Sequence, residues 1–388
     1  MASSSSLVLD EARLLLSRTL FPIFLLAPMT TTVQEQSRIH LVRHLLQQSW
    51  SWKPFNKAPS SSSTVELVTS YLLSLLAYPF YRSDPEVDLA ATLRVVLSLL
   101  SALSSIWLAR RIRPTFGTRT AKYYLVFEAT QLLATREMTR LDGVSWAVPL
   151  VRIASALLIN PRLPSPLDAD DRPRNASNKI RSLDTLLGLG LLGLASVMLC
   201  PALIALLVPS LWNTWSSGLV DGMQVSGIVG GLIGVDAALT TLTNHPSSSP
   251  SHILSTLPTR ISHLFSTSQN FHHSSLFLPY LTHLGPTLLF STLSFLVDKR
   301  CRKLLGTTII ALLSLHYFTS LGLGEEEDMM KRVRIWVLVS STACGVCAAS
   351  SARVVGIMFG TTAQNLILGS VIAGNLYLAF MSKASATV

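Results

Sequence analysis

Long apolar runs separated by short polar segments dominate the hydrophobic pattern of this chain. Residues 186–212 contain no charged side chain, and neither do residues 354–380. About 20 consecutive apolar residues cross the hydrocarbon core of a bilayer as a helix, and both runs are longer than that. The pattern therefore predicts an all-α fold, a polytopic transmembrane helix bundle rather than a soluble domain.

Eight segments have the length and apolarity of spanning helices: 65–81, 89–109, 144–160, 185–211, 276–297, 304–321, 333–351 and 354–380. Two further segments, 121–135 and 219–241, are ambiguous. We expect one of these two to cross the membrane, whereas the other lies flat or re-enters. The sequence therefore predicts eight to ten spans.

Polar segments divide the chain into two regions. Residues 1–63 form a polar or interfacial N-terminal region, and residues 64–388 form the helix bundle. Exposed loops are predicted at 160–184, which is rich in proline and aspartate, and at 243–275, which is rich in serine and histidine.

The net charge of +10 comes from short basic clusters between apolar runs. Residues 109–122 carry five cations and no acid, and residues 298–303 carry four cations and one acid. Such clusters are typical of cytoplasmic loops under the positive-inside rule. Both clusters are therefore expected on one side of a membrane, and we exclude nucleic acid as a partner.

Glu128 is the one charged residue in the apolar and aromatic run of residues 123–135. Helical spacing places a polar stripe on one face of this run: Tyr124, Glu128, Gln131 and Thr135. An ionisable group at membrane depth costs about 3 kcal/mol or more and indicates a function. We expect this carboxyl group to keep its proton near neutral pH. In the alternative, the run lies at the membrane interface and Glu128 is in water.

A protonated carboxyl group beside aromatic rings suits the cyclisation of a lipophilic polyene. It can protonate an epoxide or alkene, and ring faces stabilise the carbocations that follow. The candidate substrate-binding residues near Glu128 are Tyr123, Tyr124, Phe127, Gln131 and Trp146.

Two further residues are candidates for catalysis. Asp221 follows a tryptophan-rich turn, and its alternative role is simple solvation at the interface. His316 interrupts an apolar helix, where the alternative is a buried hydrogen-bonding group. No metal site is predicted, because Cys344 and Cys347 lack a second pair and lie among small residues typical of a helix contact.

In length, helix count and Ser/Pro-rich loops, most of the chain resembles the integral-membrane terpene cyclases of fungal meroterpenoid pathways, of the ascofuranone/ascochlorin type. The resemblance implies cyclisation of an epoxidised farnesyl chain on an aromatic or cyclohexanone core, without a metal or nucleotide cofactor. It also implies a prenyltransferase and a monooxygenase in the same pathway, and a location in the endoplasmic reticulum or another endomembrane. No residue is carried over from the family, so the role of Glu128 is a physical hypothesis.

Three other functions are weighed against the cyclase. A small-solute or lipid transporter explains intramembrane polar residues, although the sequence shows no internal repeat of the kind many transporters have. A non-catalytic membrane scaffold requires no site at all. A membrane-bound acyl transferase would use His316 as its base, but a Trp/His-rich segment upstream is missing. The expected partners of this protein are a lipophilic prenylated small molecule and membrane lipid.

Overall fold

The computed structural model describes residues 11–14, 16, 33–47, 64–159, 174–243, 277–319 and 326–385. The described residues form helices and short turns, with no strand among them, so the predicted all-α fold is confirmed. The first six helices are α1 (Val33–Gln47), α2 (Thr64–Ser83), α3 (Leu89–Phe116), α4 (Thr118–Thr130), α5 (Leu132–Glu137) and α6 (Gly143–Ile159). The remaining six are α7 (Arg174–Met198), α8 (Ile204–Ser216), α9 (Gly222–Thr243), α10 (Phe277–Val297), α11 (Lys299–Thr319) and α12 (Glu326–Ser385).

Helix α3 has clear start and stop signals in the sequence. The Asp88 carboxylate accepts the backbone N–H groups of Ala90 and Ala91 at 3.0 and 3.2 Å, which caps the first turn. The helix ends at Gly117, whose φ of 92° is accessible to glycine. At 28 residues, α3 is about 42 Å long and extends from one end of the bundle to the other.

Two of the predicted helices are broken. Gln131 has a non-helical ψ of 62° and separates α4 from α5, so the polar stripe of residues 124–135 is divided between two helices. The predicted span 185–211 ends at Cys200 and Pro201, where a short 3₁₀ turn leads into α8. Proline lacks the N–H group and its ring obstructs the preceding turn, which explains the second break.

Helix α12 is a hairpin with a hinge at Gly360, where φ is 84° and ψ is 177°. We call residues 326–359 its first arm and residues 361–385 its second arm. The arms lie against each other near the hinge, because a Cβ atom at Gly356 would lie 2.3 Å from Oε1 of Gln364. The sequence predicted two helices here, but with the boundary between residues 351 and 354 rather than at the hinge.

The first arm of α12 is the central helix of the bundle, and its residues 337–352 are all buried. Helix α10 packs along α12, and the hydroxyl of Ser294 donates to the Cys347 carbonyl at 2.6 Å. Helix α4 packs on the same hairpin, with the ring of Tyr124 against Gly345. These contacts depend on small residues, since a Cβ atom at Gly345 would lie 3.1 Å from that ring.

The two basic clusters meet at one end of the bundle, which we call the basic end. The Arg300 guanidinium donates to the backbone carbonyl of Thr115, and the Arg353 guanidinium donates to that of Phe116. Arg111 lies 3.4 Å from the Asp184 carboxylate at the same end. This is consistent with the expectation that both clusters lie on one side of a membrane.

Two ion pairs close the other end of the bundle. Arg334 of α12 pairs with Asp142, which precedes α6. Arg94 of α3 lies 3.1 Å from Glu35 of α1, and both side chains are buried. A helix of the predicted N-terminal region thus packs against the bundle through a buried charge.

The predicted number of spans is not confirmed. Two helical stretches, Leu89–Phe116 and Val333–Leu378, are long and apolar enough to cross a membrane, judged by length and composition alone. A buried core helix of a soluble protein passes the same test. Other described apolar helices are shorter: Gly143–Ile159, Leu183–Met198, Gly222–Ala238 and Leu284–Leu296.

The predicted loops are covered only in part. Helix α7 begins at Arg174, so residues 174–184 are helical and not part of a loop as predicted. Residues 160–173 and 244–276 lie outside the described part of the chain.

Candidate functional site

The Glu128 side chain lies inside the protein, with 1% of its surface exposed. It projects from α4 at mid-height of the bundle, where the middle of α3 supplies Ser101 and Ser105. The alternative in which Glu128 is in water is therefore wrong for this structure.

A cation that is distant in sequence pairs with this acid. Nη2 of Arg152, on α6, lies 2.7 Å from Oε2 of Glu128, and the Ser105 hydroxyl donates to the same oxygen at 3.3 Å. The other terminal nitrogen of Arg152 donates to the Ser101 carbonyl at 3.0 Å and to its hydroxyl at 2.5 Å. The geometry is thus that of a buried salt bridge, with a partner that the sequence analysis did not foresee, and the protonation state of Glu128 stays a prediction.

The space around the ion pair is too small for a lipophilic substrate. A void of about 10 Å³ borders Ser101, Gln131 and Arg152, which is room for about one water molecule. The amide of Gln131 is engaged with Thr287 of α10 at 2.9 Å. A site for a polyene would need tens of times this volume.

The predicted aromatic residues do not surround a pocket. Tyr124 and Phe127 are completely buried in the core between α4 and α12. Tyr123 and Trp146 are half-buried and pack against the clusters that α4 and α6 form with their neighbours. The rings therefore contribute to packing in this structure.

The other two predicted catalytic residues lie elsewhere. Asp221 is exposed at the start of α9, where its backbone N–H donates to the Gln224 side chain at 3.1 Å. His316 of α11 is half-buried and packs edge-on against the Trp336 ring, with 5.8 Å between ring centroids. Glu128, Asp221 and His316 thus occupy three helices and three different environments. Their catalytic roles stay predictions.

A much larger cavity, of about 420 Å³, opens at the basic end of the bundle. Six helices line it: α3, α6, α7, α8, α11 and α12. Its volume is within the usual range of small-molecule sites, about 300–1,000 Å³. The lining positions on α11 extend from Lys299 to Thr308, a rise of about 13 Å along the helix.

The cavity wall is amphipathic. Apolar lining residues come mainly from the helices around α11: Leu158, Ile159, Leu192, Leu206, Leu219, Leu304, Val339 and Ala343. Hydroxyl and amide side chains form a second group: Ser155, Ser210, Asn213, Thr214, Ser217, Thr307, Thr308 and Thr342. Lys299, Arg300 and Lys303 supply positive charge, and the described lining residues include no acid, histidine, tyrosine or tryptophan.

Sequence reasoning did not find this cavity, although two signals point to it. Ser210, Asn213, Thr214 and Ser217 follow helical spacings of three, one and three, which marks a polar stripe on α8. Lys299, Lys303 and Thr307 are four residues apart on one face of α11. Because the cavity combines six helices, neither stripe alone indicates its size or its other wall.

The described residues contain no group of three or more His, Cys, Asp or Glu side chains placed to hold a metal ion. All four cysteines are free and buried. Cys344 and Cys347 lie on the first arm of α12, in its contact with neighbouring helices.

No family model matches this sequence, and neither a curated protein nor a solved structure is detectably similar to it. The resemblance to meroterpenoid cyclases therefore stays a hypothesis.

Proposed function

We propose that the protein is a multi-pass membrane protein that holds one lipophilic molecule in the 420 Å³ cavity, in a lipid-binding or lipid-transport role. The amphipathic cavity is the observation that carries this proposal. Its apolar side chains can contact a hydrocarbon chain, and its polar side chains can contact a head group. The space near Glu128 is too small for either part of a lipid.

Several features of the outer surface support a place in the membrane. Large apolar side chains point outwards from different helices; Leu296, Phe359 and Leu366 are each more than two-thirds exposed. A soluble monomer rarely exposes many such side chains together. Basic residues gather at one end, as expected for a cytoplasmic face. The proposed location is an endomembrane, which the resemblance to the meroterpenoid cyclases implies.

The cyclase is the weaker proposal for this cavity. Acid-initiated cyclisation needs a proton donor within reach of the substrate and ring faces around the cation. The described lining residues include one aromatic ring, Phe116, and no carboxylic acid. Glu128 does not line this cavity, and the space described beside its partner Arg152 is about 10 Å³, so binding or transport fits the geometry better.

A bulky substitution in the cavity wall tests the proposed function. Ser210 lines the cavity from α8, and Ser210→Phe would fill part of the volume that a ligand needs. Val208 lies two residues away on the same helix, is 58% exposed and does not line the cavity, so Val208→Phe is the matched control. Both variants would be purified in detergent as the full chain.

Native mass spectrometry would then measure the binding of oleoyl lipids. We expect the parent protein and Val208→Phe to bind one molecule saturably, and Ser210→Phe to lose binding by about tenfold or more. Binding by Ser210→Phe at the level of the parent protein would exclude the cavity as the lipid-binding site. A parent protein that binds no oleoyl lipid saturably would exclude the function itself.

A further inference from the structure

The first turn of α11 has a charge arrangement that an anion would stabilise. Lys299, Arg300 and Lys303 line the cavity here, and the turn contains no acid. Cations are unfavourable at a helix N-terminus because the macrodipole is positive there. Lys299 and Lys303 are also four residues apart, so these like charges lie on one face.

One acid lies close to this turn but is already engaged. Oδ1 of Asp298 accepts the backbone N–H of Arg300 at 2.9 Å, and Oδ2 accepts the Ser350 hydroxyl at 3.3 Å. A single carboxylate does not balance the three lining cations, so the cavity mouth is positively charged.

The hydroxyl groups of the wall offer mainly acceptors. Thr307 and Thr308 donate to the Leu304 carbonyl at 2.8 and 3.0 Å, and Ser210 donates to the Leu206 carbonyl at 2.7 Å. A hydroxyl has one hydrogen, so an oxygen that donates to its own helix can only accept from a ligand. The wall beyond the cations therefore suits a ligand with hydrogen-bond donors.

A second and independent observation also points to a bound polar group. Thr342 is 4% exposed and lines the cavity, and its hydroxyl has no hydrogen-bond partner among the described residues. The Thr115 hydroxyl, at the mouth, is likewise buried without a described partner. Buried hydroxyls normally have partners, and a polar group of a ligand would supply the partner that each of these two lacks.

Building on the proposed lipid-binding role, we infer that the ligand is a single-chain amphiphile whose head group carries a phosphate monoester and at least one hydroxyl. A phosphate monoester carries about 1.5–2 negative charges near pH 7, which matches a cluster of cations better than one carboxylate does. The phosphate lies among Lys299, Arg300 and Lys303. The hydroxyl faces Thr307 and Thr308, about one turn further along α11. The hydrocarbon chain lies against the leucines and Val339.

Four probes with different combinations of phosphate, hydroxyl and chain test this assignment on the full chain in a neutral detergent. Oleoyl lysophosphatidate has the phosphate, the hydroxyl and the chain. Monooleoylglycerol lacks the phosphate and its charge, oleate has a carboxylate in place of the phosphate and no hydroxyl, and glycerol 3-phosphate lacks the chain. Native mass spectrometry would measure the dissociation constant of each.

We expect oleoyl lysophosphatidate to bind at least about tenfold more tightly than any of the other three. Equal binding of monooleoylglycerol or oleate would overturn the head-group assignment and leave a general lipid cavity. Equal binding of glycerol 3-phosphate would overturn the lipid assignment and indicate a site for soluble phosphates. Failure of all oleoyl lipids to bind would instead refute the proposed function.

Two neighbouring residues give a matched pair of variants. Lys303→Gln and Arg302→Gln change the net charge equally, but only Lys303 lines the cavity. We expect Lys303→Gln to weaken lysophosphatidate binding by about fivefold and to leave monooleoylglycerol binding unchanged. Arg302→Gln should bind both as the parent does. An equal loss of lysophosphatidate binding in both variants would mean that the whole basic surface attracts the lipid. That result would overturn the assignment of the phosphate to the cavity.

Discussion

The Glu128–Arg152 ion pair offers a quantitative test of a structural role against a catalytic one. In Arg152→Met, the Glu128 carboxylate would stay 1% exposed and lose the guanidinium that lies 2.7 Å away. Removing one partner of a buried pair leaves an uncompensated charge and costs about 3–5 kcal/mol. We expect a decrease of this size in the free energy of unfolding.

The double variant Glu128→Leu/Arg152→Met should be more stable than Arg152→Met alone. Both charges are then absent, and replacing a buried pair with apolar residues of similar volume is often neutral or stabilising. The two substitutions should therefore be strongly non-additive, since the residues are in direct contact.

Unfolding of the full chain in detergent, followed by helical circular dichroism, would measure these differences. The pair of Arg110 with Glu11 is the comparison, because 61% of the Arg110 side chain is exposed whereas 8% of the Glu11 side chain is, and we expect a smaller coupling there. Additivity of the Glu128 and Arg152 substitutions within about 0.5 kcal/mol would refute the coupling. A Glu128→Gln variant of unchanged stability that loses a cyclase activity would restore the catalytic hypothesis.

Two further predictions concern single positions. Gly360→Ala should lower the free energy of unfolding by about 1–3 kcal/mol, because φ 84° with ψ 177° is accessible almost only to glycine. Gly369→Ala is the control, because Gly369 lies on the same helix and has open space around a Cβ atom. This variant should be neutral or slightly stabilising. An equal loss of unfolding free energy in Gly369→Ala would contradict a special role for Gly360. Thr342→Val should raise the melting temperature of the ligand-free protein, because it removes a buried hydroxyl without a described partner, and a decrease would show that the hydroxyl is satisfied. Thr308→Val loses a hydrogen bond of 3.0 Å, so it should raise the melting temperature less than Thr342→Val does.

The helices themselves follow from local sequence. Apolar runs, the Asp88 cap and Pro201 act within a few residues of their own position, so the helices and several of their ends are predictable. Gly360 is a weaker signal, because many glycines in this chain lie inside helices without a hinge. The fold of α12 into a hairpin therefore requires the structure.

The sequence singled out Glu128 but left its burial open, and it did not identify a partner for this acid. The same reasoning that singled out this acid applies to Arg152, a cation within the apolar run of α6, and to Arg94 in α3. A buried charge in one helix implies an opposite charge in another, and the pairing depends on which helices are neighbours. Taking Glu128 alone left it without a partner, whereas the structure places Arg152, 24 residues away in sequence, beside it.

By itself, then, the sequence determined the helical class, the apolar segments and the basic clusters, because these depend on side chains close together along the chain. The tertiary structure alone decided that Glu128 meets Arg152 and that a cavity opens at the basic end. Each of these results depends on side chains from different helices, up to six of them for the cavity, and only packing brings those side chains together.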